Sequence, residues 1–162
     1  MRLTGHRILP VGRNEAWNAL TDPETLRAAI PGCESFESSG EGQYAVVMTA
    51  ALGPVRARFN GRVTLEDIVI AERYSLRFEG DGKVAGFARG TARVALQDEG
   101  TGTRLEYDAE ALIGGRIAQV GSRLVDPAAR KFVEQFFDAF CRLLDGKAEA
   151  SAAPTDAAAP IG

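Results

Sequence analysis

Hydrophobic and polar residues alternate along most of the chain between residues 33 and 113. The alternating stretches are separated by turns such as Gly53-Pro54 and Gly80-Asp81-Gly82. A period of two places successive side chains on opposite faces of a strand, and regularly spaced strands with glycine turns are typical of an antiparallel meander. Strands are predicted at residues 2–9, 33–38, 43–52, 55–66, 73–79, 86–97 and 103–113.

Two short helices are predicted between the first two strands. The first covers residues 13–20 and has Trp17 and Leu20 on one face. The second follows Asp22, a capping residue, with Pro23 at its first position, and it ends at Pro31-Gly32.

The period changes after Gly114-Gly115 to the three or four residues of an amphipathic helix. Its apolar positions are Ile117, Val120, Leu124, Ala128, Phe132, Phe136, Ala139 and Leu143. Gly121 and Pro127 fall inside the first half of this helix and predict a bend or break near Asp126-Pro127, and Gly146 is the predicted end of the helix. Residues 147–162 are rich in alanine and proline and are predicted to form a disordered tail after a single domain, residues 1–146.

These elements predict an α+β fold in which a curved antiparallel sheet wraps around the long C-terminal helix, because that arrangement buries both apolar faces. The space between sheet and helix is the natural place for a ligand.

The run from Val55 to Val63 shows both faces of this sheet most clearly. Its polar positions include three arginines, whereas its inward positions are small around Phe59. Arginines on further strands extend the outward set, which is either an ordinary solvated face with cross-strand ion pairs or a docking surface for an acidic partner or an anionic membrane. The candidate docking residues are Arg56, Arg58, Arg62, Arg73, Arg77, Arg89 and Arg93.

Small inward residues on several strands predict a cavity beside the first half of the long helix, unless they serve only to let the helix pack closely. Phe132 and Phe136 are expected to seal the core beside the second half. Phe87 breaks the parity of its strand and is placed at the mouth, and the Tyr107 hydroxyl needs a partner: a ligand carbonyl or head group, a water or a backbone carbonyl. The candidate ligand-binding residues are Met48, Phe59, Gly61, Val63, Leu76, Phe78, Phe87, Gly90, Tyr107, Ile117, Val120 and Leu124.

Composition narrows the functional classes. The chain has 162 residues and a formal net charge of −3, which argues against nucleic-acid binding because that requires a basic domain. No apolar run is long enough to span a membrane, and the N-terminus lacks the pattern of a signal peptide. Cys33 and Cys141 are far apart and are expected to be reduced thiols of a cytoplasmic protein.

Catalytic and metal-binding patterns are not found in the sequence. His6 is the only histidine and is expected to be exposed, so a catalytic triad has little support. No His, Cys, Asp or Glu spacing indicates a metal site, and the glycines fit turns better than a phosphate loop. We therefore expect no catalytic residues and no metal.

Four collinear segments resemble one family: DPETLRAAIPGCES, LGPVRARFNGRVTL, GFARGTARV and GGRIAQVGSRLVD. The chain resembles the CoxG family of carbon monoxide dehydrogenase accessory proteins from about residue 2 to about residue 144. That family belongs to the helix-grip superfamily, which includes START-like, pollen-allergen-like and polyketide-cyclase-like proteins.

The resemblance implies a non-catalytic accessory protein of a molybdenum hydroxylase of the carbon monoxide dehydrogenase type, with the dehydrogenase subunits as partners. It implies a hydrophobic ligand between sheet and helix, for which a quinone is the candidate, and no covalent cofactor. The protein would deliver the ligand or recruit the enzyme to the inner face of the membrane. Some relatives carry a longer, more apolar C-terminal segment, whereas residues 147–162 offer little to insert, so at most peripheral contact is expected. A general lipid-binding protein and a cyclase- or hydrolase-like enzyme acting on an aromatic substrate remain as alternatives.

Overall fold

A computed structural model describes the backbone of residues 1–161 and the side chains of residues 1–146. It contains seven strands, four α-helices and a short 3-10 turn at Lys83–Ala85. The strands are β1 (Arg2–Leu9), β2 (Cys33–Gly40), β3 (Gln43–Leu52), β4 (Val55–Val69), β5 (Arg73–Asp81), β6 (Phe87–Glu99) and β7 (Gly102–Gly114). The helices are α1 (Arg13–Leu20), α2 (Pro23–Ala29), α3 (Arg116–Gln119) and α4 (Ser122–Ile161).

All seven strands form one antiparallel sheet in the order β1-β7-β6-β5-β4-β3-β2. Strands β2 to β7 are joined by consecutive hairpins, and β1 pairs with β7. The predicted meander is therefore confirmed, with the first strand added at the β7 side.

The register assigns each residue to one of two faces, because directly opposed residues of antiparallel strands share a face. Met48 pairs with Phe59, and Phe78 pairs with both Val63 and Gly90. These residues lie on the inner face, which is turned toward the helices and is apolar, as the alternation predicts.

The two short helices form where the sequence predicts them. In α1, Trp17 and Leu20 are buried. Asp22 caps α2, since its Oδ2 accepts hydrogen bonds from the backbone N–H and the hydroxyl of Thr25 at 3.2 and 2.6 Å. Pro23 occupies the first helical position, where its missing N–H has no consequence.

The predicted break near Asp126-Pro127 is wrong in its position. The interruption lies at Gly121, which separates α3 from α4 and has φ +91°, a conformation that favours glycine. Helix α4 then runs without interruption through Pro127. It also continues through Gly146 to Ile161. The side chains of residues 147–162 lie outside the described residues, so the domain boundary at residue 146 stays a prediction.

The inward stripe of α4 is shifted from the predicted one. Phe137, Phe140 and Leu144 are buried, whereas Phe132 is 36% exposed. Phe136 is half-buried and stacks on Phe140 at 5.6 Å between ring centroids. The prediction that Phe132 seals the core is wrong. Apolar residues stand at adjacent positions of α4, so the helix offers two possible inward rows, and the one that contains Phe137 and Phe140 is buried.

Candidate functional site

The apolar interior consists of two separate clusters. The larger one joins α1, α2 and the second half of α4 to one end of the sheet, and Leu9, Leu105 and Phe140 are its most buried members. The smaller one lies at the other end, where Val55, Phe59 and Ala85 are buried. Met48, Ala50, Ala57, Ile117 and Val120 pack against this smaller cluster.

Between the two clusters the inner face carries small residues that belong to neither. We call this set the small-residue span: Gly61, Gly80, Ala88, Gly90, Ala92, Ala109 and Ala111. All seven are half-buried. Helix α4 lies closest to α2, β1 and β3 among the described elements, and these flank the central strands that carry the span. The span therefore lies on the inner face between the two buried clusters.

Gly80 marks open space within the span. It pairs with Gly61 on β4 and with Ala88 on β6. A Cβ built on Gly80 has no atom within 4 Å, and its φ is compatible with any residue. Sequence reasoning missed Gly80, although it continues the inward series Tyr74, Leu76, Phe78.

Gly61 and Gly90, which were predicted as cavity residues, are required for a different reason. A Cβ on Gly61 would lie 2.8 Å from the Glu79 carbonyl oxygen. A Cβ on Gly90 would collide with the Glu110 carbonyl and lie 2.8 Å from Phe78 Cζ. Both glycines therefore permit close approach of neighbouring groups, and neither side-chain position is empty.

Aromatic rings lie across the glycines of neighbouring strands and form part of the floor. The Phe78 ring covers Gly90, the residue directly opposite. Tyr107 covers Gly5 in the same way on the β7–β1 pair, and a Cβ there would be 2.5 Å from the Tyr107 hydroxyl oxygen. Because the Phe78 ring lies along the sheet instead of standing on it, it leaves room above the floor.

Tyr107 connects this floor to α4. Its ring stacks on Phe137 with centroids 5.5 Å apart and an angle of 27° between the planes. Tyr107 is half-buried and lines a cleft of about 270 Å³ between β1 and α4. The other lining residues are Arg2, Leu3, Thr4, Arg130, Val133 and Glu134. No described protein group accepts or donates a hydrogen bond at the Tyr107 hydroxyl, so it is available to a molecule in the cleft.

The twelve predicted ligand-binding residues do not form one wall. Gly61, Val63, Phe78 and Gly90 lie on the inner face outside both clusters, whereas Leu76 and Tyr107 pack against the larger cluster. Met48, Phe59, Ile117 and Val120 belong to the smaller cluster. Leu124 is 48% exposed, and a Cβ on Gly53 would be 3.7 Å from its Cδ1, which places Leu124 beside the β3–β4 turn.

Phe87 lies on the outer face, so it does not line the inner face of the sheet, and its place at the mouth of the cavity stays a prediction. It pairs with Asp81 and Gly114, and its ring occupies the space that a Gly114 side chain would fill. The Arg89 guanidinium stands 5.6 Å from the ring centroid. Phe87 follows the outward parity of its strand, and Gly114 allows an aromatic ring to lie flat there.

The seven outward arginines are all exposed, but carboxylates separate them. Arg62 and Arg89 both oppose Glu79 on β5, and Arg93 opposes Asp108. Arg58 pairs with Glu34 at 2.9 Å, and Arg77 pairs with Glu66. The outer face therefore has mixed charge and cross-strand ion pairs, as in the first of the two interpretations that the sequence left open. Docking by Arg56, Arg58, Arg62, Arg73, Arg77, Arg89 and Arg93 stays a prediction.

Ionisable groups outside the span are held by ordinary contacts. Arg2 donates two hydrogen bonds to Asp108 at 2.7 and 3.0 Å, and these lower the pKa of that carboxyl. Burial raises the pKa of both thiols, Cys33 and Cys141, against the opposing effect of nearby arginines. A raised pKa reduces the thiolate fraction, which is the reactive form.

The described part of the chain holds neither a metal cluster nor a membrane-spanning helix. No group of three or more of its His, Cys, Asp or Glu residues is placed to hold a metal ion. Among its helices, none is both long and apolar enough to cross a membrane. His6 is exposed on the outer face opposite Glu106.

Solved structures share this architecture over nearly the whole chain. A conserved protein from Geobacillus kaustophilus is 26% identical, with a TM-score of 0.84 over 90% of this chain and 96% of that one. TTHA0849 from Thermus thermophilus is 17% identical, with a TM-score of 0.68 over 91% and 99%. Ara h 8.0201 is 15% identical, with a TM-score of 0.62 over 90% and 98%. The last two matches show the fold alone, which is the helix-grip arrangement that the sequence predicts.

The sequence itself identifies the family. No curated protein matches the chain closely enough to be reported as a relative. The family model that describes CoxG, a subunit of carbon monoxide dehydrogenase, matches residues 7–144, most of the 162-residue chain. Together with the helix-grip fold, this match shows that the chain belongs to the carbon monoxide dehydrogenase CoxG family.

Proposed function

We propose that the protein is a non-catalytic accessory factor of a molybdenum hydroxylase of the carbon monoxide dehydrogenase type, and that it carries a hydrophobic ligand on the inner face of its sheet. The observation that carries the proposal is the small-residue span between two separate apolar clusters. A single continuous core would leave no reason for seven small residues to stay half-buried at the centre of the sheet.

The shape and chemistry of this region favour a flat ligand with few polar atoms. Phe78 lies along the sheet outside both clusters, so an aromatic or quinonoid ring can pack above it in an offset arrangement. The Tyr107 hydroxyl, which has no described protein partner, can donate a hydrogen bond to a ligand carbonyl. A respiratory quinone combines both features, and its isoprenoid chain would contact the smaller cluster at the other end of the span.

Two properties of the described residues support carriage over catalysis. The thiols have raised pKa values because of burial, so neither is activated as a nucleophile. His6 is remote from the inner face, because it lies on the outer side of β1. A carrier needs neither group, and the dehydrogenase subunits would supply the redox chemistry.

Mass spectrometry of organic extracts tests the proposal. The protein is purified without detergent, extracted and compared with an equal mass of a control protein of unrelated fold from the same cells. A quinone recovered in stoichiometric proportion supports the proposal, whereas recovery of mixed phospholipids only would favour a general lipid-binding protein. Failure both to retain and to take up an added quinone would overturn it.

Binding to the dehydrogenase is tested separately by pull-down. Arg62→Glu combined with Arg89→Glu places like charges around Glu79 and should weaken capture of the enzyme if the outer face docks. Arg104→Glu is the control, since Arg104 lies outside the predicted docking set. Capture by the double variant at the wild-type level would remove Arg62 and Arg89 from the docking surface.

A further inference from the structure

One end of the molecule presents exposed apolar residues together with cations. The 3-10 turn at Lys83–Ala85 projects Val84, which is 80% exposed. Beside it on the outer face, Leu112 is 53% exposed and Phe87 is 38% exposed. Large apolar side chains with this exposure are candidates for contact with another surface when they are clustered.

Backbone contacts fix these residues relative to one another. Gly82 donates a hydrogen bond to the Gly86 carbonyl at 2.8 Å, which closes the turn that carries Val84. A Cβ on Gly86 would be 3.2 Å from the Gly115 Cα, so the turn packs directly on the segment that leads into α3. The exposed group is therefore part of a rigid structure.

The cations lie among the apolar residues. Lys83 precedes Val84, and Arg116 begins α3 next to the same turn. Arg89 directly opposes Leu112 and covers Phe87. Lys83 and Arg116 form no ion pair with a described side chain, and both are exposed. We call this group of six residues the mouth rim: Lys83, Val84, Phe87, Arg89, Leu112 and Arg116.

Two carboxylates face the mouth rim. Glu79 opposes Arg89 across the β5–β6 pair, and Asp81 accepts a hydrogen bond from the Lys83 backbone N–H at 2.8 Å. These carboxylates offset part of the positive charge. The lysine and arginine side chains at the turn and at α3 remain uncompensated beside the most exposed apolar residue.

We infer that the mouth rim docks on an anionic lipid bilayer, with Val84 and Leu112 entering the headgroup region and the cations contacting lipid phosphates. Projecting apolar side chains surrounded by Lys and Arg fit such an interface. Ala85, the neighbour of Val84, belongs to the smaller apolar cluster that borders the small-residue span. A membrane-soluble ligand would therefore pass between bilayer and span at this end; this consequence rests on the proposed function, whereas the docking surface rests on exposure and charge.

The β4–β5 turn provides an internal comparison. Ile70 is 75% exposed and Ile68 is 46% exposed, so this turn is as apolar as the rim. Asp67 and Glu72 are exposed on either side of this turn, and one cation, Arg73, follows at the start of β5. The carboxylates outnumber the cation here, so Ile70 is a matched control for Val84: a β-branched residue of similar exposure in a less cationic setting.

Vesicle co-sedimentation tests the inference. The full chain is mixed with phosphatidylcholine vesicles, with or without phosphatidylglycerol, and its bound fraction is measured for wild type, Val84→Glu, Lys83→Glu/Arg116→Glu and Ile70→Glu. We expect binding only to the phosphatidylglycerol vesicles. The affinity for these vesicles should fall about ten-fold or more in both rim variants, since each basic residue contributes substantially to the attraction by anionic lipid. The affinity of Ile70→Glu should equal that of wild type.

The outcomes are separable from those of the ligand proposal. No binding by wild type, unchanged binding by both rim variants, or equal loss in Val84→Glu and Ile70→Glu would each overturn the inference. Circular dichroism verifies that the variants are folded. If Val84→Glu does not fold, the Lys83→Glu/Arg116→Glu variant still tests the inference. Quinone uptake in detergent micelles is measured on the same variants. Rim variants that take up quinone as well as wild type but no longer bind vesicles support the mouth rim as the docking surface. A wild-type protein that takes up no quinone counts against the ligand proposal only.

Discussion

The Phe78 ring lies over Gly90, the residue directly opposite it on the neighbouring strand, and a Cβ on Gly90 would stand 2.8 Å from Phe78 Cζ. The glycine thus allows a large ring to lie flat on the sheet. Gly80, two residues after Phe78 on the same face, has no atom within 4 Å of its Cβ position. Filled and open glycines therefore stand side by side on the floor of the proposed site.

Alanine at these two glycines should have opposite effects on stability. Gly90→Ala forces its Cβ into Phe78 and the Glu110 carbonyl, and we expect a loss of about 1–3 kcal/mol in the free energy of unfolding. Gly80→Ala meets open space and restricts the unfolded chain, so it should be neutral or stabilising by about 0.4–1 kcal/mol. Urea unfolding monitored by circular dichroism measures both. Equal destabilisation would show that Gly80 is as closely packed as Gly90.

Two phenylalanines five residues apart test which face of α4 is turned toward the core. Phe137 is 8% exposed and stacks on Tyr107, so Phe137→Ala should cost about 3–5 kcal/mol of stability. Phe132 is 36% exposed, so Phe132→Ala should cost much less, about 1 kcal/mol or below. Thermal and urea unfolding of the pair give the comparison. A larger loss for Phe132→Ala would restore the inward stripe that the sequence predicts.

Removal of the Tyr107 hydroxyl should affect the ligand and not the fold. The hydroxyl has no described protein partner, whereas the ring keeps its stack on Phe137 in Tyr107→Phe. Stability should therefore be unchanged. Quinone affinity should fall by a factor that corresponds to one hydrogen bond, about 0.5–1.5 kcal/mol. Titration calorimetry in micelles measures it, and unchanged affinity would remove the hydroxyl from the ligand site.

Both cysteines should react slowly with alkylating reagents in the folded protein. Burial raises the pKa of the thiols of Cys33 and Cys141 above that of a free cysteine. The pKa of each thiol is higher in the folded state than in the unfolded state, where it is about 8.5, so the associated stability is fully present below the unfolded pKa. This stability is lost as pH rises through the folded-state pKa. At pH 8, iodoacetamide labelling followed by mass spectrometry should be slower for the folded protein than for the protein unfolded in urea. The Tm of the protein should decline in alkaline buffer. Labelling as fast as in urea would contradict the raised pKa.

The order of the strands and their inward faces could be predicted because alternation and glycine turns depend on local sequence. The Val55–Val63 run illustrates this: its arginines are exposed and Phe59 is buried, as expected. The mixed charge of the outer face could be predicted from the outward carboxylates among the arginines, but the charges that stand opposite one another could not. Only the register of β4, β5 and β6 brings Glu79 between Arg62 and Arg89, and the sequence of a single strand does not show this opposition.

The functions of individual glycines could not be predicted either. Gly61, Gly80 and Gly90 all stand at inward positions of strands, yet two meet backbone or an aromatic ring and one meets open space. The distinction depends on the distance between neighbouring strands and on the ring orientation of Phe78. The inward face of α4 depends similarly on tertiary structure, because apolar residues at adjacent positions offer two possible stripes, and only packing in the folded chain buries the one that contains Phe137 and Phe140.

The central claim is that the open space above Gly80 holds the hydrophobic ligand. Its most direct test is quinone binding by Gly80→Phe against Gly12→Phe, since both glycines have open space around the Cβ position and φ values that accept a side chain, but only Gly80 lies in the small-residue span. Binding is measured by titration calorimetry in micelles on folded proteins of equal concentration. The account predicts that Gly80→Phe abolishes quinone binding while Gly12→Phe binds like wild type. Full binding by folded Gly80→Phe would contradict it.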